Sequence, residues 1–130
     1  KKIENPRTTF DWLTKDEAIV DAYVADPDCG FTFTVNGFGT MFELIGRMTK
    51  REYLQAIPKD LPLFLVSGDA DPVGDYGKGV TASCEMYKDL GIKDVTMKLY
   101  ENDRHEILNE PERLKYYDDI LSWMNVRIDT

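Results

Sequence analysis

The chain has 130 residues, 42% of them hydrophobic and 12% aromatic, which is enough for one modest core and too apolar for a disordered tail. Its 24 acidic and 16 basic residues leave a formal charge of -8 with no basic run, a surface that repels phosphate backbones and argues against a nucleic-acid partner. No apolar stretch approaches the roughly 20 residues that cross a bilayer, so no integral membrane segment is expected.

The opening Lys1-Lys2-Ile3-Glu4-Asn5-Pro6 has no signal-peptide apolar centre. The pattern Thr14-Lys15-Asp16-Glu17 has the form of a capping box, with Thr14 as cap. The stripe Ala18, Ile19, Ala22, Tyr23, Val24 then predicts a helix from Lys15 to Ala25. Asp26-Pro27-Asp28-Cys29-Gly30 ends it, because the residue before proline is pushed out of the helical region. Phe31 to Val35 alternates and reads as a short extended piece, followed by a second helix carrying Met41, Phe42, Leu44, Ile45 and Met48. A third short helix is expected from Arg51 to Ala56. Phe31, Phe33, Phe38 and Phe42 are read first as core packing of this region and second as the lining of an acyl pocket.

From Leu61 the pattern becomes strand, helix, strand, helix. Leu63 to Val66 is a continuous apolar run suited to a strand covered on both faces. Lys78 to Leu90 is helical, with Val80, Cys84, Tyr87 and Leu90 inward and Gly91 as a left-handed stop. Val95 to Tyr100 alternates as a second strand. Asn109-Glu110-Pro111-Glu112 predicts a helix start with Asn109 as cap and Glu112 closing a capping box, and Leu114, Tyr117, Ile120, Leu121 and Met124 supply its apolar face. Strand, helix, strand in one sheet is a parallel crossover, so the loops after both strands leave at one sheet edge. That edge carries Asp71 of Ser67-Gly68-Asp69-Ala70-Asp71-Pro72-Val73 and the chain's single histidine, His105.

An aspartate and a histidine expected at the ends of adjacent parallel strands look like two members of a catalytic triad, in the Asp-then-His order. The third is missing from this sequence: Ser67, Ser83 and Ser122 are its only serines, and none sits in a Gly-x-Ser-x-Gly turn. Two other readings use the same aspartates. An EF-hand loop starting at Asp69 fails, because Val73 and Val80 fall where oxygen ligands are required. A phosphotransferase of the haloacid-dehalogenase type would use Asp69-x-Asp71-x-Val73 as nucleophile and magnesium clamp, and it leaves His105 without a task. Glu106 and Asp103 beside His105 read as solvated loop charges, and Cys29 and Cys84, far apart and without metal-ligand spacing, as buried free thiols in a reducing, cytoplasmic setting.

Leu61 to Val73, Tyr100 to Glu110, and the closing Asp119-Ile120-Leu121-Ser122-Trp123-Met124 resemble the α/β-hydrolase superfamily, in its serine aminopeptidase, monoacylglycerol lipase and lysophospholipase branch. The resemblance implies an α/β fold class: the C-terminal part of an α/β-hydrolase fold, with residues 1–60 as a helical cap and 61–130 as the last two β-α units of a mostly parallel sheet. It implies Asp71, not Asp69, as the triad acid and His105 as general base, with no metal or organic cofactor. It also implies a bacterial-type ester hydrolase acting on small lipid or ester substrates. The nucleophile serine then comes from a missing N-terminal half or a second copy of the chain, and this chain alone is expected to be inactive.

Overall fold

The computed structural model describes residues 3–128; the ends of the two expected domain ranges and the Lys1-Lys2 start lie outside them. Three helices come first: α1 (Glu17–Ala25), α2 (Val35–Met48) and α3 (Arg51–Gln55). Then follow β1 (Leu63–Gly68), α4 (Lys78–Asp89), β2 (Val95–Tyr100), a 3-10 turn (Ile107–Asn109) and α5 (Arg113–Ile128). The two strands pair in parallel, Leu63 opposite Val95 through Gly68 opposite Tyr100, so both chain directions exit at one edge.

Strand alternation sorts the side chains onto two faces. On one, Phe64 stacks on Trp123 of α5 at 5.3 Å, the Trp123 indole donates to Thr96, and Tyr100 packs against Tyr116. Tyr100, Ile107 and Tyr116, with Val66 against them, form the core beside the site. On the other face Leu99 meets Gly77 at the start of α4, where a Cβ would stand 2.9 Å from the leucine methyl and φ is +82°; glycine alone fits both demands. Gly91 is also left-handed, at +83°, as expected of a helix stop.

Several local expectations are corrected. The cap of α1 is Asp16, whose carboxylate accepts from Ala18 and Ile19 N–H, and the Thr14 hydroxyl is drawn instead into a buried network with Glu110. Val20, outside the expected stripe, is the buried residue of α1, and Val24 is exposed. The alternating Phe31–Val35 segment joins no sheet: Thr34 caps α2, accepting from Gly37 N–H, and the helix starts at Val35. Helix α2 buries no residue. Phe31 is 63% exposed and Phe42 62%, and these rings contact one another edge-on or stacked without entering a core. The last helix begins at Arg113 and not at Asn109, because residues 107–109 wind into the tighter 3-10 turn. Asn109 donates its side-chain amide to Glu106, and Glu112 faces Lys15. The buried side of α5 is Tyr116; Leu114, Tyr117, Leu121 and Met124 of the expected apolar face are exposed. Both cysteines are free thiols, Cys84 buried and Cys29 half-buried.

Candidate active site

The two loops leaving the sheet are stitched together before any side chain takes part. Asp69 N–H donates to Tyr100 O (3.0 Å) and Ala70 N–H to Asp103 O (2.9 Å). Gly68 makes this approach possible: a Cβ there would stand 2.0 Å from the Asp103 carbonyl oxygen and 2.5 Å from that of Arg104. The consequence is that Asp71 and His105, 34 residues apart, meet. Asp71 Oδ2 lies 3.0 Å from His105 Nδ1, and Asp71 Oδ1 accepts from Val73 N–H at 2.8 Å. The Asp71 side chain is 7% exposed and that of His105 37%, a buried acid holding a ring that reaches the surface.

A carboxylate can only accept, so the hydrogen of the neutral imidazole belongs on Nδ1 and Nε2 is left as the basic nitrogen. Asp69 is occupied elsewhere. Its Oδ1 accepts from Asn102 N–H at 2.6 Å and closes the turn in which Asn102 takes a left-handed φ of 60°.

Every backbone N–H from residue 102 to 106 is bonded. Besides Asn102, Asp103 donates to Tyr100 O, His105 to Trp12 O (3.3 Å) and Glu106 to Leu13 O (2.7 Å), while Arg104 donates to Glu110 Oε1 at 2.7 Å. The Trp12 ring lies 5.1 Å from the imidazole. The Arg104 guanidinium donates to the carbonyls of Asp11 and Thr14. Residues 11–15 thus lie along the histidine loop and accept from His105 N–H, Glu106 N–H and the Arg104 guanidinium.

Two fully buried carboxylates, Glu110 and Asp103, complete this arrangement. Glu110 Oε2 accepts from Lys15 N–H (2.9 Å) and from the Thr14 hydroxyl (3.0 Å). Asp103 is paired with the Lys15 ammonium, which corrects the expectation that it is a solvated loop charge; Glu106 is half-buried and holds Asn109. Burial opposes the charge on Lys15, yet the Asp103 carboxylate outweighs it and the lysine pKa is raised. Burial, reinforced by Asp103, pushes the Tyr116 phenol up. Burial and then Asp119 push Tyr100 up to about 12. Trp12, Thr14, Lys15, Arg104 and Glu110 escaped sequence reasoning, because the Thr14–Glu110 contact spans 96 positions and leaves no local pattern.

Beside His105 an open groove of about 400 Å³ is lined by Val66, Ile107, Leu108 and Ile120. The Ser67 and Ser83 hydroxyls donate to the carbonyls of Gly68 and Gly79, and Ser122 is exposed on α5.

The structure thus places a buried acid on a histidine at the edge of parallel strands, and comparison with known proteins gives the family. Residues 2–112 match the model of the family described as serine aminopeptidase, S33. The chain belongs to that family. As an S33 relative it is similar to a monoacylglycerol lipase of Mycolicibacterium smegmatis, 29% identical over 114 residues, which are 88% of this chain and 38% of that protein. It is also similar to the crystal structure of a thermostable carboxyl esterase from Bacillus coagulans in complex with glycerol. The TM-score is 0.84 at 32% identity, over 95% of this chain and 40% of that one. A lipase in its open form superposes with a TM-score of 0.74 at 26% identity, over 85% and 36% of the two chains. The fold is therefore part of an α/β-hydrolase fold of lipase and esterase type, and the S33 chain spans about two fifths of the length of these relatives. The family replaces the haloacid-dehalogenase alternative. Among the described residues no helix is long and apolar enough to cross a membrane.

Proposed function

We propose that this chain carries the acid and base of a serine hydrolase for carboxylic esters of the monoacylglycerol or lysophospholipid kind, and that the nucleophile serine lies outside it. The observation that carries the reading is the 3.0 Å contact between Asp71 Oδ2 and His105 Nδ1. His105 Nε2 takes the serine proton as the oxygen attacks the ester carbonyl, and Asp71 stabilises the imidazolium. The same nitrogen returns the proton to the departing alcohol, and a water then cleaves the acyl-enzyme by the reverse sequence. No step calls for a metal or an organic cofactor.

Three observations support a missing part of the fold. The 130 residues hold no serine elbow, the relatives are about 2.3 times as long, and the sheet of the described residues has two strands with unpaired outer edges. We assign the completing part to an N-terminal segment of the same protein in preference to a second copy. Residues 1–60 act as the cap over the site and 61–130 as core. The two free thiols suit a cytoplasmic setting.

A fluorophosphonate, which labels activated serines, tests the reading by intact mass. The longer protein gains one adduct and the 130-residue chain none. His105→Ala in the longer protein abolishes ester turnover by several orders of magnitude; near-normal turnover in that variant refutes the assignment.

A further inference from the structure

We infer that Glu110 is a positioning residue for His105, acting by clipping residues 14 and 15 onto the histidine loop. The inference rests on the Asp71–His105 chemistry proposed above and adds a residue that the triad does not include. Glu110 is fully buried, and a buried carboxylate is retained at low cost only where donors surround it. It has three, spread over both oxygens: Arg104 N–H on Oε1, and on Oε2 Lys15 N–H and the Thr14 hydroxyl, whose one hydrogen is shared with Asn109 O at the same 3.0 Å. One of these donors belongs to the residue before His105 and the other two to a segment some 95 positions earlier.

That segment holds the ring from its other attachments. Trp12 and Leu13 supply the carbonyls for His105 and Glu106 N–H, and Trp12 contributes the ring against the imidazole. Residues 12–13 and 105–106 therefore run side by side in the same direction, and Glu110 ties residue 104, ahead of one strip, to residues 14 and 15, beyond the other. Losing that tie lets the two strips shift against each other, and a small shift breaks the 3.0 Å Asp71–His105 contact. Glutamine at 110 keeps the shape but must turn an NH2 toward one of the N–H or O–H donors, so a hydrogen bond is replaced by two opposed donors.

In the longer protein the His105 ring is followed by 15N NMR, its signals identified by their loss in His105→Ala. The wild-type protein is expected to show a single, slowly exchanging Nδ1–H tautomer for this ring, and Glu110→Gln a mixture with the Nε2–H form that dominates free imidazole. In the longer protein the same substitution lowers kcat toward an ester by about 10²-fold, the size of effect expected of a misplacement near 1 Å, with KM within about twofold. A Glu110→Gln protein that keeps the wild-type tautomer and kcat overturns the inference while leaving the Asp71–His105 pair standing. A wild-type longer protein lacking the Nδ1–H form sinks both. If Glu110→Gln does not fold, Thr14→Val takes its place: it removes the hydroxyl, which besides Glu110 meets Asn109 O and accepts from Asp16 N–H, and leaves the two backbone donors to Glu110; it is expected to lower kcat several-fold at constant KM, and overturns the inference if kcat is unchanged.

Discussion

Gly68→Ala is the smallest change that strikes the site from beneath. An added Cβ would lie 2.0 Å from Asp103 O, 2.3 Å from Asp103 C and 2.5 Å from Arg104 O, and contacts under 3.0 Å essentially never occur. The obstacle is backbone, so no rotamer relieves it, and the loop must retreat by about 1 Å or more in an interior that is already close-packed. Retreat is opposed by Ala70 N–H on Asp103 O and by the bonds from residues 104–106. Overpacking of this kind costs about 1–3 kcal/mol, and the absence of flexible atoms puts this site at the upper end. Replacing glycine within a strand returns roughly 0.5–1 kcal/mol, so the clash wins by about 2 kcal/mol. For a domain of this size that corresponds to a fall in Tm of roughly 6–10 °C. Circular dichroism melts of wild type and variant measure it, and the His105 imidazole signals should lose the Asp71-bound form together with the stability. A variant melting within about 2 °C of wild type with the ring signals unchanged refutes the steric argument.

Lys15→Met leaves the buried Asp103 carboxylate without its ion-pair partner, and urea unfolding should show a loss of about 2–4 kcal/mol; Lys15→Met with Asp103→Leu should lose less than the single variant. Tyr100, held up to about 12 by burial and Asp119, stays protonated in the folded chain where the unfolded chain has ionised. Its contribution is therefore complete below pH 10 and disappears as pH rises toward 12, a swing of about 3 kcal/mol. Tyr100→Phe should flatten that alkaline limb in denaturant titrations run from pH 9 to 12. Asp71→Asn in the longer protein keeps the shape but destroys the acceptor that orients His105, and kcat for ester hydrolysis should fall by about 10⁴-fold; stopped-flow acylation rates check it.

The sequence by itself determined the elements whose instructions are local. β2 lies at Val95–Tyr100 as its alternation indicates, α4 runs Lys78–Asp89 to the glycine stop, and β1 extends two residues past its apolar run through Ser67 and Gly68. From the order strand, helix, strand the parallel pairing followed, and with it the meeting of Asp71 and His105 at one edge. Tertiary structure decided the rest. Thr14 carries a capping pattern that three residues of sequence cannot distinguish from a real cap, but its hydroxyl is worth more to a buried carboxylate than to a solvent-exposed helix end, and Asp16 caps in its place. Asn109 and Pro111 form a plausible helix start, yet the backbone there is bent into a 3-10 turn with Ile107 in the core and Glu110 reaching the Thr14–Lys15 segment. The apolar face of α5 was misjudged because periodicity says which residues share a side and not which side meets the sheet; Tyr116 and Trp123 settle that through Tyr100 and Phe64. Contacts that join positions 14 and 110 have no signature at either end, since each residue type satisfies many local patterns and only the folded chain brings the partner within 3 Å.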